Sequence, residues 1–524
     1  MIAYAVEGGT GRSGKLTVHN SLGETITSDS LEELLTFCLK PHPNQFRVFS
    51  DLNDAVAPLL AKLPLENIKE LCKVNKTTWK GFSIIYFKDK VLVIFSGSSY
   101  ASYYHLGQYF PDLEGLELLE VQKKGEELID SLWEIDIKPS KLSSPVAMLE
   151  DILGKLNLPT WKDIPDEAAE GAWECSGRAW TEAIKIGRFP KVFDADLTSA
   201  YGSVLANLLD LRYGHWYHQK QIPKGAEYGW GYGRISIKSE ISPITFVDRF
   251  GRIFNPKGQW ASYLMLPEVR FIQDYEIGAF TPSDGYWWVP SRKVQRLHML
   301  VWKLYRCREK SRLLNSVLKR AVAGIAGLML QTFDDGFGKI FNSVWGGTIQ
   351  STIRCTKVGG FIYDNHLQDD LVAVATDGCM TTREITVPHD TRMGTWRIDG
   401  SGPALVVDSN LVFFGAKRPN QLGYEEAMAL INQHPLARQW STKKQRRKTL
   451  GDVSAGRLAS YEDLGKKMTF TVGFSIPEDD DRDREFPVSP IHGRSLLSQV
   501  YESKALNVNR LVKPAEVSIK EERL

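Results

Sequence analysis

The stretch KVFDADLTSAYGSVLANLLD, residues 191–210, constrains the fold more than any other part of the chain. An apolar, β-branched run ends at Asp194 and Asp196, a polar turn follows, and an apolar helix comes next. A strand that ends in carboxylates and hands over to a helix leaves those carboxylates exposed above the end of a sheet. A second such segment, DDLVAVATDGCMTT at 369–382, is an apolar run ending in Asp377 and Gly378. Two strands of this kind side by side bring Asp196 and Asp377 together, and paired oxygen ligands suit Mg²⁺ or Mn²⁺ rather than zinc. A two-metal phosphoryl-transfer site needs such a clamp. Either aspartate taken alone is equally suited to capping a turn or a helix.

The third informative segment, residues 293–331, has helical apolar spacing throughout. Its length predicts a helical hairpin with a turn near Cys307 to Ser311 rather than one uninterrupted helix. In its second arm Arg312 and Lys319 are seven residues apart and share a face, and Arg308 joins them if the helix extends back. Such a stripe could hold a triphosphate or be a solvated face.

Residues 1 to about 165 mix short β-like runs, FSIIYF at 82–87 and KVLVIFSG at 90–97, with helical stretches such as LEELLTFCLK and AVAPLLAKL. This reads as an α/β domain. A linker is expected in the Pro-, Ser- and acid-rich region between 138 and 171. From about 421 the tail reads as polar and helix-rich, with a basic cluster KKQRRK at 443–448 and an acidic run EDDDRDRE at 478–485.

Composition excludes whole classes. With 43% hydrophobic and 24% charged residues over 524 positions, disordered and fibrous chains are out. Lysine plus arginine (65) nearly balances aspartate plus glutamate (63), so any nucleic-acid surface must be local. The six cysteines form no C-x-x-C pair, which argues against structural zinc and a disulfide framework and favours a reducing compartment. The N-terminus lacks a signal-like apolar run and no stretch of membrane-spanning length occurs, so a soluble, cytoplasmic protein without a membrane partner is expected.

Taken together and in this order, the segments resemble the motifs of family B DNA polymerases, specifically the protein-primed branch of phages and linear plasmids. Asp196-Leu197-Thr198-Ser199-Ala200-Tyr201-Gly202 is similar to the first palm motif, D-x-x-S-L-Y-P. KRAVAGIAG, Lys319 through Gly327, resembles the fingers motif K-x-x-x-N-S-x-Y-G. Asn342-Ser343-Val344-Trp345 and the helical TIQSTIRCTKVGGFIYD resemble the N-P-x-W-x-x-x-I-T-x-x-x-R segment. Ala375-Thr376-Asp377-Gly378 is similar to D-T-D-S, and GQWASYLMLPEVRFI (258–272) to the segment upstream of the fingers, with Pro267-Glu268 in place. The resemblance covers about residues 190 to 415.

This resemblance implies an α/β multidomain chain: a right-hand polymerase of palm, fingers and thumb preceded by an RNase H-like exonuclease-type domain. The implied layout is exonuclease-like 1–165, palm and fingers 166–420 (fingers about 291–331, with an insertion at about 225–290 able to dock a terminal protein), and thumb and tail 421–524. Asp196 and Asp377 are the implied catalytic metal ligands for two Mg²⁺ ions, with Mn²⁺ as a substitute. Lys319, Arg312, Arg308, Tyr201 and Ser199 are the implied dNTP-binding residues, Tyr201 as the gate against ribonucleotides. Lys443, Lys444, Arg446, Arg447 and Lys448 are expected to follow the DNA backbone. The implied partners are primer-template DNA, dNTPs and, if priming is by protein, a terminal protein.

The departures shape the expectations. Ala323 and Ala326 stand where asparagine and tyrosine are usual, so a stacking contact on the nascent pair is lost. Ala375 replaces the first aspartate of D-T-D-S, and Gly202 replaces a proline with little expected effect. Fourteen residues separate Gly327 from Asn342, too few for the insertion that encircles DNA, so high processivity is not implied. In the first domain Ala5-Val6-Glu7 stands where D-x-E is usual, and Ala55 replaces the aspartate of the second exonuclease motif, with Asp51 and Asp54 as neighbouring carboxylates. The expected outcome is a retained fold without proofreading. Two rival readings remain: a catalytically retired DNA-binding or scaffold protein, and a polymerase of altered template use, such as a terminal transferase or an RNA-templated enzyme. Trp287, Trp288 and Trp302 are candidates for base stacking or for the core.

Overall fold

Alternation of buried and exposed side chains builds the N-terminal sheet: Phe82, Ile84 and Tyr86 point inward from one strand, and Leu92 and Ile94 from the next. The structure is a computed structural model. It describes all residues except 9–13, 44, 88–89, 111–112, 114–115, 177–178, 248–252, 334–335, 388–391, 410, 416–421, 435–438, 449, 451, 453–463, 465, 476–500 and 503–524. The acidic run at 478–485 therefore lies outside the described residues. The chain divides into two compact units, Met1–Lys155 with Arg306–Ala321 and Lys443–Thr471, and Leu156–Tyr305 with Val322–Thr442 and Val472–Leu524.

In the first unit, β1 (Ile2–Gly8), β2 (Leu16–Asn20), β3 (Thr25–Ser28) and, after α1 (Leu31–Cys38), β4 (Arg47–Phe49) form one half of a sheet. After α2 (Leu52–Leu60) and α3 (Leu65–Val74), the other half comprises β5 (Lys76–Trp79), β6 (Phe82–Phe87), β7 (Val91–Ser96) and β8 (Ser99–His105). The strand order is β3-β2-β1-β4-β8-β7-β6-β5. Only the central pairs β1–β4 and β4–β8 are parallel, the rest antiparallel. Helix α1 starts at Ser30, whose side chain accepts from the Glu33 N–H, and its inward residues join those of α2 in one core with Ile2, Tyr4 and Tyr103. α4 (Leu118–Trp133) and α5 (Glu150–Lys155) complete the unit's larger segment.

The second unit starts with α6 (Asp166–Glu174) and β9 (Thr181–Ala183), then β10 (Lys185–Leu197), which runs directly into α7 (Ala200–Leu205). A separate four-stranded antiparallel sheet follows, from β11 (Gly214–His218), β12 (Tyr228–Ile237), β15 (Gly258–Met265) and β16 (Gly278–Pro290), in the order β11-β16-β12-β15. The short hairpin of β13 (Phe246–Val247) and β14 (Ile253–Phe254) rises between β12 and β15. Helix α8 (Leu266–Asp274) links β15 to β16. Trp287 and Trp288 are fully buried here, their indole N–H groups donating to the Gln219 and Leu211 carbonyls. They belong to the core and cannot stack on bases.

Residues 293–331 form two helices broken where expected, α9 (His298–Cys307) and α10 (Arg312–Leu328), joined by a 3₁₀ turn over Arg308–Lys310. A small hairpin of β17 (Thr332–Phe333) and β18 (Gly336–Phe337) follows, then α11 (Ser343–Ser351), a π-helical segment over Thr352–Gly359 and α12 (Gly360–Asp364). Next come β19 (Leu371–Ala375), β20 (Gly378–Thr381), β21 (Trp396–Asp408) and β22 (Leu411–Phe414), assembled as β22-β21-β10-β20-β19-β9, with β25 (Tyr501–Glu502) pairing to the start of β10.

In the tail, among the described residues, α13 (Tyr424–Gln433) and the helical positions Leu450 and Asp452 accompany two strands, β23 (Gln439–Arg447) and β24 (Lys467–Ser475), which pair with each other. Trp440 stacks on Phe474 and both enter the core beneath β21. None of the six cysteines is in a disulfide, and among the described residues no helix is long and apolar enough to cross a membrane.

Candidate active site

Strands β10 and β20 are antiparallel neighbours, and Asp196 stands opposite Gly378. One step further the Leu197 N–H donates to the Asp377 carbonyl at 3.1 Å, so the two aspartates emerge at the same end of adjacent strands. Both are half-buried. The turns beside them are strained in the same way: Ser199 has φ 52° and Thr376 has φ 58°, left-handed values that cost a residue with a Cβ, and a β-branched threonine most. Thr376 is held by its N–H donating to the Trp180 carbonyl, while the Asp377 N–H bonds back to the Ala375 carbonyl at 2.7 Å.

Tyr201 lies in the first turn of α7, and its phenol is pushed to higher pKa by burial and by the negative charge of Asp377. It therefore sits within electrostatic reach of that carboxylate. At Gly202 a Cβ would lie 2.6 Å from Ser199 Oγ and 2.8 Å from Met393 Sδ, both of them side-chain atoms that can turn aside.

A residue that the motifs did not single out stands on the other side of β10. Arg397 of β21 is opposite Asp196, and its Nη2 lies 2.8 Å from Asp196 Oδ2. The same guanidinium meets Asp399, with Nε to Oδ1 at 2.5 Å and Nη2 to Oδ2 at 3.1 Å. Asp194 pairs with Gly400 and Ala195 with Ile398, so Asp399 is the extra residue of a β-bulge. Burial alone would lower the Arg397 pKa, but Asp399 and Asp196 outweigh it and hold the charge above its ordinary range. The signal in the sequence was the alternation Arg397-Ile398-Asp399 within an apolar strand.

Beneath the sheet, the motif-bearing helices are tied by a buried ion pair. Arg354, at the arginine of the N-x-x-W segment, reaches Glu268 of α8 at 2.6 Å, and Glu268 also accepts from the Met265 N–H at 2.8 Å. Asn342 caps α11 by accepting from the Trp345 N–H, and the Trp345 indole donates to the Leu209 carbonyl. Those motif residues are thus framework that ties α11 and the π-helical segment to α7 and α8. Asp210 plays a similar part, taking Arg212 at 2.7 Å and Arg296 at 3.0 Å at the base of α9.

On α10 the exposed residues are Arg312, Asn315, Ser316, Lys319, Arg320, Ala323 and Gly327, a single stripe that carries both predicted phosphate ligands. Ala326 is buried, so no aromatic could occupy its place without repacking. Arg308 does not extend the stripe as helix. It belongs to the 3₁₀ turn, because the chain straightens at Ser311, and its Nε donates to Asn315 Oδ1 at 2.9 Å. Of the basic cluster, Lys443 is exposed and Lys448 half-buried, while the side chains of Lys444, Arg446 and Arg447 lie outside the described residues.

Glu7, Asp51 and Asp54, the carboxylates expected at exonuclease-type motifs, lie in the first unit. Glu7 is exposed near the end of β1, 3.4 Å from His19. Asp51 caps α2, accepting from the Asn53 and Asp54 N–H groups at 2.8 and 3.1 Å, and Asp54 lies in the helix's first turn. Among the described residues no group of three or more His, Cys, Asp or Glu is placed to hold a metal ion. Asp196 and Asp377 still fit Mg²⁺, which commonly binds through one or two carboxylates with water and substrate phosphates completing its shell.

No protein-family model and no curated protein sequence matches the chain. Solved structures do. The phi29 DNA polymerase bound to primer-template DNA in a post-translocation binary complex is similar over 91% of this chain and 100% of its own, with a TM-score of 0.62 and 12% identity. The same polymerase in a ternary complex with primer-template DNA and incoming nucleotide gives a TM-score of 0.61 and 12% identity over 91% and 99%. Its complex with single-stranded DNA gives 0.53 and 13% over 78% and 86%. The chain is thus a mixed α/β, multidomain protein with the fold of the phi29 DNA polymerase.

Proposed function

We propose that the chain is a DNA-directed DNA polymerase that adds dNMPs to a 3′ hydroxyl. The observation that carries this reading is the emergence of Asp196 and Asp377 at one end of adjacent strands, in a fold shared with a DNA polymerase over 91% of the chain. When bound by Asp196 and Asp377, two Mg²⁺ ions supply activation of the attacking oxygen and neutralise charge on the leaving phosphate. Asp196 and Asp377 hold that position. Tyr201 closes off the space for a 2′ hydroxyl, and Ser199 offers its hydroxyl beside the nucleotide. Lys319 and Arg312, with Arg308 from the adjoining turn, bind the β and γ phosphates. Lys443, Lys444, Arg446, Arg447 and Lys448 add salt-dependent affinity for the duplex backbone from the thumb, residues 421–524.

In the same reading residues 166–420 are palm and fingers, with fingers at about 291–331. The segment of about 225–290, largely β12 to β16, is a docking site for a terminal protein, so priming by protein hydroxyl is included. Residues 1–165 are an exonuclease-like domain without proofreading. The mixed sheet with a parallel centre supports that origin, and the use of Asp51 as a helix cap supports the loss of activity.

The test is extension of a 5′-labelled primer on a DNA template with Mg²⁺ and dNTPs, comparing the wild type with Asp377→Ala. Template-directed extension that the substitution abolishes is the expected result. A second reading, a retired polymerase fold that binds DNA, is favoured by one observation, the Arg397 guanidinium on Asp196. No extension by wild type with Mg²⁺ or Mn²⁺, from DNA, RNA or protein primers, together with retained DNA binding, would establish it. Extension on RNA or without template would instead identify altered template use.

A further inference from the structure

We infer that Arg397 is a tethered counter-cation that competes with the divalent ion for Asp196, and that Asp399 is the station to which it withdraws. The inference rests on the reading of Asp196 as a metal ligand and adds a positioning residue to it.

Three features support it. Arg397 Nη2 touches both carboxylates, Asp196 Oδ2 at 2.8 Å and Asp399 Oδ2 at 3.1 Å, so a small rotation of one side chain shifts the charge between them. The bulge that inserts Asp399 between the partners of Asp194 and Ala195 is what brings the second carboxylate within reach, and bulges of this kind re-aim side chains beside functional sites. The Arg397 side chain is 40% exposed and Asp196 23%, so the pair is accessible to solvent and an ion can reach it.

The chemistry follows from charge. Asp196 and Asp377 repel each other when no cation lies near them, and an arginine on Asp196 relieves that repulsion. A divalent ion approaching Asp196 must displace the guanidinium, which moves to Asp399 and keeps a partner throughout. Apparent metal affinity is then lower than two carboxylates alone would give, and tight binding awaits the phosphates of a nucleotide. Arg397 is suited to this because its planar fork can bond two carboxylates at once.

The experiment titrates the full-length protein with Mn²⁺, without DNA or nucleotide, and reads free Mn²⁺ by electron paramagnetic resonance. Arg397→Gln is expected to bind Mn²⁺ about threefold to tenfold more tightly than wild type, the factor matching loss of a partly exposed charge pair. Asp399→Asn is expected to bind more weakly, because the arginine loses its second partner and stays on Asp196. In the Arg397→Gln background the same Asp399→Asn change should have at most a small effect, which separates action through the arginine from simple loss of negative charge. Thermal unfolding checks that each variant is folded. Unchanged or weaker binding by Arg397→Gln, or an Asp399→Asn effect that persists without the arginine, overturns the inference. Asp196→Asn that binds Mn²⁺ as well as wild type overturns the metal-ligand reading beneath it, a distinct failure.

Discussion

Arg354 Nη2 and Glu268 Oε1 meet at 2.6 Å with side-chain exposures of 1% and 0%, so α8 and the π-helical segment are joined by a fully desolvated ion pair. Burial disfavours the Arg354 charge, yet the Glu268 carboxylate outweighs this and raises its pKa. Such a pair is weak evidence for net stability, but breaking it is costly because the remaining charge has no solvent. Glu268→Gln or Arg354→Met is expected to lose about 3–5 kcal/mol in urea unfolding. The double variant Glu268→Leu, Arg354→Met is expected to recover most of that loss.

The turn before Asp377 stores strain. Thr376 has φ 58°, a conformation that glycine adopts freely. Thr376→Gly is expected to raise stability by about 1 kcal/mol, seen as a higher Tm. Primer extension should slow in the same variant, because the turn that positions the Asp377 carboxylate becomes looser.

Asp210 predicts an acid-side dependence of stability. Burial pushes its pKa up, but the hydrogen bonds from Arg212 and Arg296 together outweigh that, and the net shift is down. A carboxylate with a depressed folded pKa contributes stability that is present above its unfolded pKa, about 3.9, and is lost as the pH falls through the folded value. Asp210→Asn is expected to destabilise the protein near neutrality and to flatten the loss of stability below about pH 4, read from unfolding midpoints across that range.

Thiol reactivity should follow burial. Burial pushes the Cys38 thiol up to about 11 and Cys355 to about 12, and Cys379 also reaches about 12 with Asp194 adding to the effect. A raised pKa removes the thiolate, which is the nucleophile. With iodoacetamide at pH 8, peptide mapping should find native labelling at half-buried Cys72 and Cys307. Labelling of Cys38, Cys175, Cys355 and Cys379 should appear only on unfolding.

What the sequence determined by itself is the part governed by local periodicity and motif order. Residues 82–87 and 91–96 alternate as strands because one face is buried. The break between α9 and α10 after Cys307 and the strand-to-helix passage through Asp196 to Ala200 are equally local, since length limits and turn chemistry act over a few residues. Tertiary structure decided the rest. Residues 443–447 of the basic segment lie on a strand whose Trp440 stacks on Phe474 in a core. Gly202 has as neighbours Ser199 and Met393, and the latter lies far along the chain. Arg397 reaches Asp196 only because strands about two hundred residues apart pair in one register with a bulge at Asp399. Periodicity within a segment carries no information on which distant side chain will stand opposite a given carboxylate, because that is set by the pairing register of the sheet.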